Sequence, residues 1–109
     1  RIRNIVVLGV NTFGWSFSVR GMPVPREQPF LALMAPSGEK WQFGSPDSQH
    51  RIIGKAREFA QIVTQTRNLI DTELVCEGEV AKAWMTNAQC FAGAPAEPPR
   101  PGERRIKKY

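Results

Sequence analysis

The side chains able to do acid–base, nucleophilic or metal chemistry are few in this sequence and widely spaced. His50 is its one histidine, and its two cysteines, Cys76 and Cys90, lack a Cys-x-x-Cys spacing. A zinc site needs three or four His, Cys or carboxylate ligands brought together from characteristic spacings, so no metal centre is expected. Both thiols stand among apolar neighbours, where cysteine behaves as a small inert hydrophobe, and a Cys–His nucleophile is not supported. The carboxylate pairs Asp71 with Glu73 and Glu77 with Glu79 flank expected helix ends, where acidic groups act as solvated caps and dipole partners.

The remaining candidates bind rather than react. Arg67 follows Val63-Thr64-Gln65-Thr66 at the end of an apolar helix. An arginine there most simply complements the helix dipole, but its planar fork also suits a clamp on an anionic ligand, with Gln65 beside it. Trp15, Trp41 and Trp84 could wall an apolar pocket, although three tryptophans in a small domain are first of all filling. The expected ligand-binding set is therefore Arg67, Gln65, Trp15, Trp41 and Trp84, with no catalytic residue and no metal ligand.

Periodicity supplies the elements that must position them. Residues 2 to 19 place Ile2, Ile5, Val6, Gly9, Val10, Phe13 and Phe17 at three- and four-residue spacing, which predicts one helix with these residues on its core side. Its opposite face holds Val7, Leu8, Asn11, Gly14, Trp15 and Ser18, and no charge occurs from residue 4 to residue 19. A helix on a small domain's surface normally shows Lys and Glu outward, so a partner domain or subunit is expected to cover residues 4–19.

Pro23, Pro25 and Pro29 make Gly21 to Pro29 an extended connection. Phe30 to Met34 and Trp41 to Phe43 flank the turn sequence Pro36-Ser37-Gly38-Glu39-Lys40, predicting an antiparallel hairpin. A polar loop, Gly44 to His50, leads to a short strand, Arg51 to Ile53, ended by Gly54. An amphipathic helix from Lys55 to Arg67 follows, then a strand from Thr72 to Glu77 broken by Gly78, then a helix from Val80 to Phe91 ending near Gly93. At Gly54 and again at Gly78 a strand turns directly into a helix start, where free backbone N–H groups could meet an anion; a tight turn alone accounts for either glycine. The fold class is thus α+β, a small antiparallel sheet covered by helices, in a single domain over 1–95 with a Pro-rich basic tail over 96–109.

The 109 residues have room for one domain, with 41% apolar and 23% charged residues suited to a real core. The net charge of +5 is concentrated in the tail, where Arg100, Arg104, Arg105, Lys107 and Lys108 face only Glu103. The body is nearly neutral and lacks a basic groove interleaved with aromatics, so nucleic-acid binding by it is not expected. The uncharged stretch is too short and too polar to span a bilayer, and two cysteines without a disulfide framework fit a cytoplasmic chain. Beginning at Arg1 without Met and within an expected helix, the sequence reads as part of something longer.

Several segments together resemble one family. They are Leu8-Gly9-Val10 through Phe17 and Arg20-Gly21, Leu33 to Gly38 (LMAPSG), Trp41 to Gly44 (WQFG), Val63-Thr64-Gln65-Thr66-Arg67, and Ala88-Gln89-Cys90-Phe91-Ala92-Gly93. Across residues 1 to 95 they look like the C-terminal half of bacterial proteins related to mycothiol-dependent maleylpyruvate isomerase, many of them labelled "wyosine base formation". The resemblance implies a domain similar to sterol carrier protein type two, packed on an N-terminal DinB-like four-helix bundle that carries the metal ligands. It also implies a role for Arg67 near the partner's active site, although Thr66 stands where a second arginine would be expected.

The family's metal-binding histidines have no counterpart here. The expected function is that of an accessory domain of a thiol- or metal-dependent isomerase or transferase, shielding the active site and orienting an anionic substrate. Metal and a low-molecular-weight thiol would reside in the partner, not in this chain, which is not expected to be catalytic alone. A carrier of lipid or sterol and an accessory to tRNA wyosine base formation are the alternatives.

Overall fold

In the computed structural model, residues 2–88 and 101–102 are described. Helices α1 (Ile2–Asn11) and α2 (Phe13–Ser18) precede strands β1 (Phe30–Met34), β2 (Lys40–Phe43) and β3 (Arg51–Lys55). Helix α3 (Ala56–Val63), a 3-10 turn (Leu69–Asp71), strand β4 (Val75–Glu77) and helix α4 (Glu79–Asn87) complete them. The class is α+β, a four-stranded sheet with helices packed against it.

The sheet runs β2-β1-β3-β4. The hairpin closes where Pro36 to Lys40 place it, with Leu31 opposite Phe43 and Leu33 opposite Trp41. The central pair is parallel rather than antiparallel, Ala32 lying opposite Ile53, while β3 and β4 are antiparallel. The sheet is therefore mixed, because the chain leaving β2 passes beneath the start of β1 before entering β3. Glu27 pins that crossing: its Oε2 accepts from Ser48 Oγ and from the Gln49 amide, and the Phe30 amide then donates to the His50 carbonyl.

The stretch expected as one helix divides at Thr12, whose hydroxyl bonds back to the carbonyls of Leu8 and Gly9. Such back-bonding competes with the helix ladder and bends it. The face assignment survives the break: Val6, Gly9, Phe13 and Phe17 are buried, with Ile2, Ile5 and Val10 packed at the margin. Gly9 lets α1 lie close on α3, since a Cβ there would stand only 2.9 Å from Val63 Cγ2. Against this layer the inner sheet face presents Leu31, Leu33 and Ile52, none of them measurably exposed. Phe13 and Phe59 meet Trp84 edge to face, at ring-centroid distances of 4.8 and 5.7 Å.

Other boundaries also differ from those expected. β3 does not end at Gly54: that residue pairs with Leu33 inside the ladder, the strand runs on to Lys55, and α3 starts at Ala56. β4 starts at Val75, because the 3-10 turn, capped by Asn68 Oδ1 on the Ile70 amide, occupies the preceding chain. α4 stops at Asn87, where Ala88 turns extended and Arg20 Nε donates to the Asn87 carbonyl, one of the helix's orphan acceptors. The helix end near Gly93, Cys90 and most of the tail lie outside the described residues.

Gly78, the residue before α4, has φ +88, and a Cβ on it would stand 2.3 Å from His50 Nδ1. Gly78→Ala is therefore expected to cost about 2–4 kcal/mol in urea unfolding, from the unfavourable φ and from overpacking. Adding His50→Ala should recover the overpacking part alone. The Ser48 hydroxyl, followed by the Gln49 amide, holds the Glu27 carboxyl below its ordinary 4.5. A depressed folded value means that these bonds add stability above the unfolded value and lose it as pH falls through the folded one. The Gln49 amide resonance should titrate with a midpoint below 4.5, and Glu27→Gln should abolish that titration.

Candidate functional site

Arg67 sits beyond the end of α3 and is positioned by how that helix stops. Thr64 is the C-cap, Gln65 adopts φ +59, and the Gln65 and Thr66 amides donate to the carbonyls of Ile62 and Gln61. This is the pattern of a Schellman turn, with glutamine where glycine is usual. Thr64 and Thr66 fix it further, their hydroxyls donating to the carbonyls of Ala60 and Gln61. The turn explains why the helix ends at Val63 although apolar spacing continues towards Arg67.

Reversed by that turn, Arg67 lies back along α3. Its Nη1 donates to Glu58 Oε2 at 3.2 Å and to Gln61 Oε1 at 3.1 Å, and its Nη2 donates to the Asp71 carbonyl at 2.6 Å. Glu58 is 6% exposed, and its other oxygen accepts from the Glu73 amide. The guanidinium thus neutralises a buried carboxylate and ties α3 to the 3-10 turn and to the approach to β4. Gln65 is buried beneath this turn at 1% exposure.

The three tryptophans stand apart. Trp84 is fully buried at the centre of the core; Trp41 is half-buried on β2 with the Arg3 guanidinium over its ring; Trp15 is 39% exposed on α2. The described residues border several surface grooves. One, of about 420 Å³, borders Arg26, Glu27, Asp47 and Ser48; another, of about 360 Å³, borders Ile2, Arg3, Pro36 and Trp41. Neither contains Arg67 or Gln65, and the space between sheet and helices is filled by Leu31, Leu33, Phe59 and Trp84.

No group of three His, Cys, Asp or Glu able to hold a metal occurs among the described residues. Burial pushes the Cys76 thiol up to about 11, Lys82 opposing weakly, so little nucleophilic thiolate is present near neutral pH. Nor is any helix among them long and apolar enough to cross a membrane.

The surface that stands out lies on α1 and α2. Asn4, Leu8, Asn11, Trp15 and Ser18 are all exposed, Leu8 by 47%, and recur at intervals of four and three residues. That is the spacing of a seam between packed helices, here without any charge.

With Arg67 holding Glu58, its loss would leave a buried carboxylate unpaired. Arg67→Ala is accordingly expected to destabilise the fold by about 3–5 kcal/mol in urea unfolding. Arg67→Lys, which keeps the charge and loses the fork, should fall between that variant and the parent.

Comparison with known proteins adds one relationship. The chain is 40% identical over 95 residues, 87% of its length, to an uncharacterised protein of Mycobacterium tuberculosis, matched in both strain CDC 1551 / Oshkosh and strain ATCC 25618 / H37Rv. No family model and no solved structure matches. The chain spans 37% of the length of these curated relatives, so the aligned fold is there one part of a longer polypeptide.

Proposed function

We propose that this chain is an accessory module that packs through α1 and α2 on a helical partner domain or subunit and closes over a site the partner provides. The observation that carries the reading is the uncharged, exposed stripe of Asn4, Leu8, Asn11, Trp15 and Ser18. Its four- and three-residue spacing suits the face of another helix, and the relatives in which this fold is only a part supply room for one. The catalytic chemistry, with any metal and low-molecular-weight thiol, belongs in this reading to the partner; the module supplies shape and water exclusion.

Support for a substrate-orienting role of Arg67 is narrower. Nη1 and Nη2 are engaged within the module, and the guanidinium's part in the reading is to hold the reversed segment 64–71 in place. The reading rests on the family resemblance for the class of partner chemistry, a thiol- or metal-dependent isomerase or transferase acting on a small anion.

In the full-length M. tuberculosis relative, amides aligned with residues 4–19 are expected to exchange at least tenfold more slowly than in the excised 95-residue aligned segment. Lysine at the two positions aligned with Leu8 and Trp15 should abolish that protection. In the present chain, Leu8→Lys with Trp15→Lys should leave the urea midpoint within about 0.5 kcal/mol of the parent, as substitutions on an exposed face do. Equal exchange in the full-length and excised forms would overturn the proposal.

A further inference from the structure

A second surface, on the far side of the molecule from that stripe, is the outer face of the sheet. Strand alternation and register set it out in three rows. Gln42, Ala32, Ile53 and Val75 cross the middle; Phe30, Arg51 and Glu77 lie on one side; Lys40, Met34, Lys55 and Glu73 lie on the other. Met34 is 46% exposed, Ile53 38% and Val75 50%, whereas Leu31, Leu33 and Ile52 on the opposite face are fully buried. Parallel strand pairs normally have both faces covered, and here the central β1–β3 pair is parallel with Ile53 facing outward.

The charges around this apolar row indicate what would cover it. Stacking two copies face to face about a two-fold axis parallel to the strands sets β2 of one over β4 of the other. Lys40 then stands over the partner's Glu73 and Ala32 over the partner's Ile53, with no like charges opposed; Phe30, 4% exposed under its own Arg51 guanidinium, takes no part. A two-fold axis across the strands instead sets Lys55 over the partner's Arg51 and Glu73 over the partner's Glu77, which is repulsive. Both arrangements keep the strands of the two sheets roughly aligned, as twisted sheets pack, so the charges decide between them.

We propose that the outer sheet face is a self-association surface, through which two copies of this chain stack sheet to sheet about an axis along the strands. The face is small, roughly 15 by 17 Å from the strand spacing and rise, so the dimer is a weak one.

Sedimentation equilibrium of the 109-residue chain between about 10 µM and 1 mM should show monomer and dimer exchanging with a dissociation constant on the order of 10–100 µM. Ile53→Lys should remove the dimer while leaving the circular dichroism and urea midpoint of the parent. Lys40→Glu should weaken association at least about threefold, and adding Glu73→Lys should recover it, a reversal that only this two-fold produces. A monomer throughout the range overturns the proposal. So does a dimer that survives Ile53→Lys, or one lost only with Leu8→Lys and Trp15→Lys, which would assign association to the helical stripe instead.

Discussion

A single buried carboxylate holds the second half of the molecule in register. Glu58 projects from the first turn of α3 into a place where it is 6% exposed, and its two oxygens are claimed by Arg67 and by the Glu73 amide. A charge so placed is tolerable only when paired and hydrogen-bonded, and the groups that satisfy it come from nine and fifteen residues further along the chain. Helix, reversal and the entry to β4 are therefore fixed together. The left-handed conformation of Gln65, an unfavourable one for a non-glycine residue, is held by the same reversal that returns Arg67 to Glu58.

How much of this was legible in the sequence depends on the range of the interaction. The hairpin, the strand-to-helix turn at Gly78 and the core side of the first helical stretch follow from local spacing, and the structure has them at those places, whereas β3 continues through Gly54 to Lys55. The break at Thr12 needed a hydroxyl to compete for the Leu8 carbonyl, something apolar periodicity does not register. The parallel central pair depends on where the loop after β2 travels, which no strand pattern encodes. Arg67 was legible as an arginine closing an apolar helix, but its partner Glu58 reads in sequence as an ordinary helix-start carboxylate, so the buried pair stays hidden until the turn at Gln65 is known. The tryptophans carry a similar lesson: one residue type serves as core in Trp84, as strand margin in Trp41 and as surface in Trp15.

The two exposed surfaces differ in kind. The helical stripe lacks charge altogether and has the periodicity of a helix seam, whereas the outer sheet face sets an apolar row between charged ones. A seam without charges constrains shape, not orientation; a charged border fixes which way round two surfaces meet. They lie on opposite layers of the fold, and occupancy of one leaves the other open.

Because β3 joins β1 in parallel after a loop that passes beneath it, the sheet is assembled out of chain order. The β1–β2 hairpin closes over a five-residue turn, an event of microseconds, while Ala32 meets Ile53 only after about twenty intervening residues have been gathered in. Until that happens the hairpin presents β1 as an unpaired edge, carrying Leu31 and Leu33 unburied. The β1–β3 pairing is thus the less local of the two strand contacts, with the larger loop-closure cost, and Glu27 anchors the loop that this pairing has to close.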